Sequence, residues 1–201
     1  MSHNTWIHRF VRLGVRPIAH GRLTPNHVTT LRLLTGVAAA AAYATGDAEG
    51  YFWGGVLFVV SVLLDRADGE LARLGGKSTS WGHTYDLCVD SLCNAIIFLG
   101  LGLGLRDGPL GLWAPVMGAV AGLAIAAILF MTLKTEALGG QRAGEIKGAA
   151  GFDPDDAILA VPVIVWLGWP HGLLVAAAIG APAFALFALA LLRHRQRRLR
   201  G

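Results

Sequence analysis

Long apolar stretches alternate with short polar turns along most of the chain. Each stretch approaches the ~20 residues that a helix needs to cross a bilayer, and glycine, proline or charged residues separate one stretch from the next. The pattern predicts an all-α integral membrane protein with six transmembrane helices, the fifth shorter than the rest. The predicted spans cover residues 26–45, 51–74, 81–105, 110–133, 156–169 and 172–192.

The segment before the first span has a different pattern, because residues 4–22 mix aromatic and aliphatic side chains with arginine and histidine. It is too polar to cross a membrane, and it predicts an amphipathic helix at the membrane interface; a disordered basic leader is the alternative. Thr24 and Pro25 then form a typical helix start. We expect a single membrane-embedded domain over 1–201, with the interfacial helix at 4–22, the six-helix bundle at 24–192 and a basic tail at 193–201.

Composition and charge support this assignment. Hydrophobic residues make up 54% of the chain and charged residues 15%. The net charge of +4 does not indicate a nucleic-acid partner, since the basic residues flank the apolar spans as they do in cytoplasmic loops near anionic lipid headgroups. With a cytoplasmic N-terminus, every one of the 17 Lys and Arg residues except Arg106 falls on the cytoplasmic side. We therefore expect both termini in the cytoplasm and a bacterial inner-membrane location.

Two pairs of acidic residues interrupt the apolar pattern. Asp65 and Asp68 lie three positions apart near the end of the second span, and Asp86 and Asp90 lie four apart near the start of the third. Each spacing places both carboxylates on one helix face. Two like charges about 5 Å apart repel by roughly 3 kcal/mol at an effective dielectric of 20. Facing pairs therefore predict an oxygen-lined pocket for a hard divalent cation such as Mg²⁺.

The acids belong to a longer motif, Asp65-x2-Asp68-Gly69-x2-Ala72-Arg73-x8-Gly82-x3-Asp86-x3-Asp90. This motif resembles the signature of the CDP-alcohol phosphotransferase family at every defined position. The resemblance extends outside the motif to Pro25-Asn26-x2-Thr29 at the start of the first span. Six spans in about 200 residues are similar to the family as well.

The resemblance implies transfer of a phospho-alcohol group from a CDP-linked donor to an acceptor hydroxyl, with release of CMP and with Mg²⁺ or Mn²⁺, as two ions. By position, Asp65, Asp68 and Asp86 match metal ligands. Asp90 matches the base that deprotonates the acceptor hydroxyl and also contacts the second metal. The residues that match the surroundings of the CDP group are Asn26, Thr29, Gly69, Arg73, Thr79 and Gly82.

The motif describes only the CDP half of the donor. We expect CDP-diacylglycerol with a small polyol or polyol phosphate acceptor, in phospholipid biosynthesis; a soluble CDP-alcohol such as CDP-inositol or CDP-ethanolamine is the alternative. A cation transporter is a hypothesis from a different class, but transport gives no reason for Gly69, Arg73 and Gly82 at these spacings. A structural ion-pair network would explain two acids but not four. Arg66 is expected to point away from the acids toward lipid headgroups.

Four basic residues approach the predicted cytoplasmic mouth of the pocket and are candidates to hold an acceptor phosphate. Positive-inside topology explains them equally well. They are Lys134, Arg142, Lys147 and Arg193.

Two glycine pairs with four-residue spacing occur at Gly100/Gly104 and Gly118/Gly122. Such pairs mark either close helix packing within a chain or a dimer face. The family resemblance implies a homodimer, and the sequence alone leaves the dimer face open.

Overall fold

The computed structural model describes residues 11–12, 14–18, 21, 23–139 and 158–200, without the side chains of residues 18, 132–139, 192 and 194–200. Within these ranges the chain is helical and has no β-strand. Helical residues at 11–12 and 14–15 and a 3-10 turn at Arg16–Ile18 belong to the predicted interfacial segment, and the rest of that segment lies outside the described residues. The α-helices are α1 (Pro25–Thr45), α2 (Ala48–Leu74), α3 (Ser80–Gly104), α4 (Trp113–Gly139), α5 (Ala160–Trp166) and α6 (Pro170–Arg200).

Five of the helices in the described part of the chain are long and apolar enough to cross a membrane. The first three match predicted spans to within three residues at each end. Helix α4 begins three residues after its predicted start and continues six residues past its predicted end, and α6 begins two residues before its predicted start and continues eight past its predicted end. The predicted fifth span corresponds to α5, whose seven residues rise only about 10 Å. Residues 140–157 lie outside the described part, so a sixth crossing remains a prediction. The chain is an integral membrane protein.

The turn between α1 and α2 shows how local chemistry sets the helix boundaries. Gly46 closes α1 with φ of 78°, a left-handed conformation that glycine adopts without steric cost. Asp47 caps α2, because its carboxylate accepts a hydrogen bond from the Gly50 N–H at 2.6 Å. That bond and a second one from the Thr45 hydroxyl lower the pKa of Asp47 below its usual value. The turn lies between the first two predicted spans, which end at residue 45 and resume at residue 51.

Helix α1 lies between α2 and α3, α3 also packs on α4, α4 on α6, and α5 on α2. The main core is formed by side chains such as Tyr43, Phe58 and Leu101, which are almost completely buried. The first turns of α1 lie beside the end of α2 and the start of α3, because Thr29 contacts Asp68 and Arg32 contacts Asp86. We call this end of the bundle the acidic end.

The glycine pairs pack helices together inside the chain. A methyl group added at Gly100 would overlap the carbonyl oxygen of Ala40, and one at Gly118 would overlap that of Phe98. The second glycine of each pair makes the same kind of backbone contact one turn further on. Close helix packing is therefore the role that the structure gives both pairs, and the homodimer remains a prediction.

We predict that Gly100→Val destabilises the protein by about 1–3 kcal/mol, because the added side chain must push α3 away from α1. The matched control is Gly180→Val in α6, where an added Cβ meets no atom within 4 Å. Thermal unfolding in detergent, followed by circular dichroism, measures both variants. Equal melting temperatures for the two variants would contradict the packing role.

Candidate active site

Three of the four predicted acids come together at the acidic end. One carboxylate oxygen from each of Asp65, Asp68 and Asp86 lies within 4.8 Å of the other two. Helix α2 supplies the first two from one face and α3 supplies the third, as the spacing predicted. Three hard oxygen donors at this separation suit a divalent cation such as Mg²⁺ or Mn²⁺. We call these three residues the aspartate triad.

The acids differ in their access to the surroundings. The side chain of Asp68 is 2% exposed and that of Asp65 is 15% exposed. Exposure rises to 33% at Asp86 and to 45% at Asp90. The site therefore has a buried floor at Asp68 and an open side at Asp90.

Asp90 is connected to the triad through an arginine that the sequence analysis did not single out. Arg32 of α1 is 2% exposed, and its Nη1 donates to Asp65 at 2.5 Å and to Asp86 at 3.4 Å. Its Nη2 donates to Asp90. The available signal was a lone charged residue inside an apolar span, which is a functional candidate by default. The charge pattern alone assigns Arg32 to the cytoplasmic side and gives it no other role.

A second arginine also contacts the acids, which corrects the expectation for Arg66. Its side chain is 5% exposed, and Nη1 donates to the second carboxylate oxygen of Asp65 at 2.8 Å. It therefore points toward the acidic site and not toward lipid headgroups. Asp65 lies between two guanidinium groups, which compensate part of the repulsion among the carboxylates.

The predicted donor-binding residues of α1 and α3 support the site from one side. Thr29 is buried, and its hydroxyl donates to Asp68 at 2.7 Å, so it holds the floor of the site. Thr79 caps α3 by accepting the Gly82 N–H at 2.9 Å. A Cβ on Gly82 would lie 3.1 Å from the Asn26 side-chain oxygen, so this glycine lets the first turn of α3 approach α1.

The other two predicted donor residues form an open surface on α2. A Cβ at Gly69 would meet only the guanidinium of Arg73, at 3.8 Å. Arg73 donates to Glu70 at 2.7 Å, and Glu70 also accepts two bonds of 3.2 Å from Arg12. Glu70 is 1% exposed, and the sequence analysis missed it because it occupies an undefined position of the motif. It orients Arg73 and connects α2 to the segment before α1.

The predicted acceptor residues are only partly described. Arg142 and Lys147 lie outside the described residues, as does the side chain of Lys134, whose backbone belongs to α4. Arg193 lies in α6 and is exposed. Their role in acceptor binding remains a prediction.

The fold and the site together define an integral membrane protein with a cluster of carboxylates that could hold a divalent cation, beside an open glycine and arginine surface. The chain belongs to the CDP-alcohol phosphatidyltransferase family, whose sequence profile matches residues 22–187. This match confirms the resemblance that the motif spacing indicated.

Curated relatives carry related names. The archaetidylinositol phosphate synthase of Pyrococcus horikoshii is 31% identical over 93 residues, which cover 46% of this chain and 47% of that protein. The protein of the same name from Methanothermobacter thermautotrophicus is 29% identical over 130 residues, covering 64% and 62%. The phosphatidylinositol phosphate synthase of Streptomyces avermitilis is 31% identical over 87 residues, covering 43% and 34%. The matched regions thus span between about a third and three fifths of these relatives.

A solved structure shares the fold. It is the phosphatidylinositol phosphate synthase PgsA1 of Mycobacterium tuberculosis with CDP-DAG bound. The TM-score is 0.66 at 22% sequence identity, over 94% of this chain and 92% of that chain.

We predict that Thr29→Val lowers the free energy of unfolding by about 1–3 kcal/mol, because the buried Asp68 carboxylate loses its hydroxyl donor. The matched control is Thr35→Val on the same helix, since that hydroxyl donates only to backbone carbonyls of its own turn. Chemical denaturation in mixed micelles measures both variants. A control variant as unstable as Thr29→Val would contradict the role of the hydroxyl bond to Asp68.

Proposed function

We propose that the protein transfers a phosphatidyl group from CDP-diacylglycerol to a hydroxyl of a polyol phosphate and releases CMP. The aspartate triad, inside a complete family motif, is the observation that carries the proposal. The relatives are named archaetidylinositol phosphate synthase and phosphatidylinositol phosphate synthase. These names favour an inositol phosphate as the acceptor and a role in phospholipid synthesis. The CDP-DAG bound to PgsA1 favours the lipid donor over a soluble CDP-alcohol.

The metal in this proposal is Mg²⁺ or Mn²⁺, held by the aspartate triad, with Asp90 as a further ligand of a second ion. The donor set fits, because three carboxylate oxygens converge and hard cations prefer oxygen ligands. When bound, such ions would neutralise the clustered negative charge of the pyrophosphate and of the departing CMP.

The chain's own residues supply the proton transfer and the orientation. Asp90, the most exposed of the four acids, takes the proton of the acceptor hydroxyl. The acceptor oxygen then bonds to the phosphorus that carries diacylglycerol, while the bond from that phosphorus to the CMP oxygen breaks. Asn94 donates to Asp90 at 3.1 Å and fixes the direction of its carboxylate. A correctly placed base of this kind contributes about 10²–10⁴-fold to rate.

The donor is held at the surface of Gly69 and Arg73 in this proposal. Arg73 forms charge-assisted bonds to phosphate oxygens, and Glu70 keeps its guanidinium in place. The first turns of α1 and α3, with Asn26 and Thr79, form the other side of the nucleotide site. The acyl chains of the donor remain in the bilayer beside the helices.

The acceptor phosphate is held, in this proposal, by basic residues on the cytoplasmic side of the membrane. The six-span topology of a single domain, with both termini in the cytoplasm of a bacterial cell, belongs to the same proposal, as does a homodimer. The residues assigned to the acceptor phosphate are Lys134, Arg142, Lys147 and Arg193.

A donor-by-acceptor screen tests the proposed reaction. The purified protein is incubated with Mg²⁺ or Mn²⁺, with CDP-diacylglycerol, CDP-inositol or CDP-ethanolamine, and with inositol, inositol phosphate or glycerol phosphate. We expect CMP release with CDP-diacylglycerol and inositol phosphate. CMP release with a soluble CDP-alcohol but not with CDP-diacylglycerol would show that the donor is a soluble CDP-alcohol. CMP release from no donor and acceptor pair would overturn the enzyme assignment.

We predict that Asp90→Asn lowers turnover by about 10²–10⁴-fold while CDP-donor binding is retained, because the amide cannot accept the hydroxyl proton. Asp107→Asn is the matched control, since Asp107 lies in the turn after α3 with its side chain 88% exposed. CMP release measures turnover, and equilibrium binding of labelled donor measures affinity. Turnover of Asp90→Asn at the level of the control would exclude Asp90 as the base.

A further inference from the structure

Arg32 lies where a cation would otherwise bind. Its two Nη atoms contact one oxygen each of Asp65, Asp86 and Asp90, a set of acids that overlaps the aspartate triad but is not identical with it. A divalent ion held by these same three acids would sit about 2–2.5 Å from their oxygens. That is the volume that the guanidinium fills, so Arg32 and an ion on this second set exclude each other.

The backbone of Arg32 is held firmly from both neighbouring helices. Its carbonyl oxygen accepts the Ser61 hydroxyl at 3.1 Å, and the Cys93 thiol lies at 4.0 Å. One turn later, an added Cβ on Gly36 would lie 2.5 Å from the Cys93 sulfur, so α1 and α3 are in close contact here. Any exchange between the guanidinium and an ion must therefore occur by rotation of the side chain.

The guanidinium is not fully satisfied where it lies. Its Nε is buried without a hydrogen-bond partner, so the arginine is held at this place by its two Nη groups and their carboxylates. Asp68, the third member of the triad, accepts a hydrogen bond from the Thr29 hydroxyl at 2.7 Å, and no described hydrogen bond or ion pair joins it to Arg32. The carboxylate oxygens of the triad therefore still have lone pairs that can coordinate one ion while Arg32 remains in place.

We propose that the guanidinium of Arg32 competes with the second divalent ion for the carboxylates of Asp86 and Asp90. Without a CDP donor, the protein then binds one ion tightly at the aspartate triad, and a second ion binds only when it displaces the guanidinium from Asp86 and Asp90. The inference rests on the metal site proposed above and adds an order of binding to it. Until the second ion binds, the positive charge of Arg32 compensates the negative charge of the carboxylates on the open side of the site.

Counting bound Mn²⁺ tests this proposal without an activity assay. The full chain in detergent is titrated with Mn²⁺ alone, and electron paramagnetic resonance of the free ion gives the number of sites and their affinities. We expect one tight site in the unmodified protein and a second site at least about tenfold weaker. Two tight sites of equal affinity in the unmodified protein would overturn the role of Arg32, whether or not any variant folds.

Two matched variants distinguish the effect of where the arginine charge lies from the effect of the net charge of the site. Arg32→Met should bring the second site to within a few-fold of the first, because the space between Asp86 and Asp90 becomes free. Arg66→Met removes the same charge from the other side of Asp65 and should leave the second site weak. An equal gain in both variants would show that only net charge matters and would overturn the competition.

A third variant distinguishes this inference from the metal site on which it rests. Asp68→Asn should abolish the tight site, since Asp68 belongs to the triad and has no ion pair with Arg32 among the described contacts. A tight site that survives Asp68→Asn, or no Mn²⁺ bound to the unmodified protein, would overturn the metal site itself. One tight site in an Arg32→Met protein that retains the helical spectrum of the parent would overturn the inference alone.

Discussion

Repulsion among four carboxylates at one end of a membrane bundle is the constraint on which the rest of this structure depends. Within the aspartate triad the oxygens lie within 4.8 Å of one another, and two like charges about 5 Å apart repel by roughly 3 kcal/mol even at an effective dielectric of 20. Part of the compensation comes from Arg66 within α2, but the contacts that connect both acidic helices come from α1. Arg32 contacts acids of α2 and of α3, and Thr29 holds the most buried carboxylate. The position of α1 between the two acidic helices is an electrostatic requirement as well as a packing result.

Small residues make this electrostatic arrangement sterically feasible. An arginine on α1 can span acids from two other helices only if the three backbones approach closely. Gly36 and Gly100 allow that approach on the α1 and α3 sides, because no Cβ separates the helices at these points. Helices in lipid lack a hydrophobic force that drives them together, so close contact of this kind also contributes van der Waals energy. The glycine pattern and the charge pattern therefore serve the same helix triplet.

The four acidic side chains differ in exposure across this helix triplet, and the proposed roles follow from that difference. The floor at Asp68 is sealed, whereas the carboxylate of Asp90 faces the open side and is oriented by Asn94. Beside it, Glu70 holds Arg73 at a surface that carries no side chain at Gly69. The proposed cation site, the proposed base and the proposed phosphate-binding arginine thus lie in different environments. The proposed transfer between a CDP-linked donor and a hydroxyl acceptor uses this difference.

The segment before α1 is tied to the same end of the bundle. Arg12 contacts the buried Glu70, and the Lys77 ammonium donates to the backbone carbonyls of Gly21 and Leu23. These bonds connect the described part of that segment to the end of α2 and to the turn that follows it. The segment therefore lies next to the surface at which Arg73 is exposed.

Local periodicity determined much of this protein from the sequence alone. The apolar runs located α1 to α4 and the start of α6, the three- and four-residue spacings placed each aspartate pair on one face, and the fixed motif indicated the family. The contacts between elements distant in the sequence depended on the tertiary structure. Arg32 meets Asp90 across 58 positions and Glu70 meets Arg12 across 58, and no periodic pattern encodes such a pairing. Helical spacing specifies which residues share a face, but only the packing of three helices decides which faces meet and which charges they compensate.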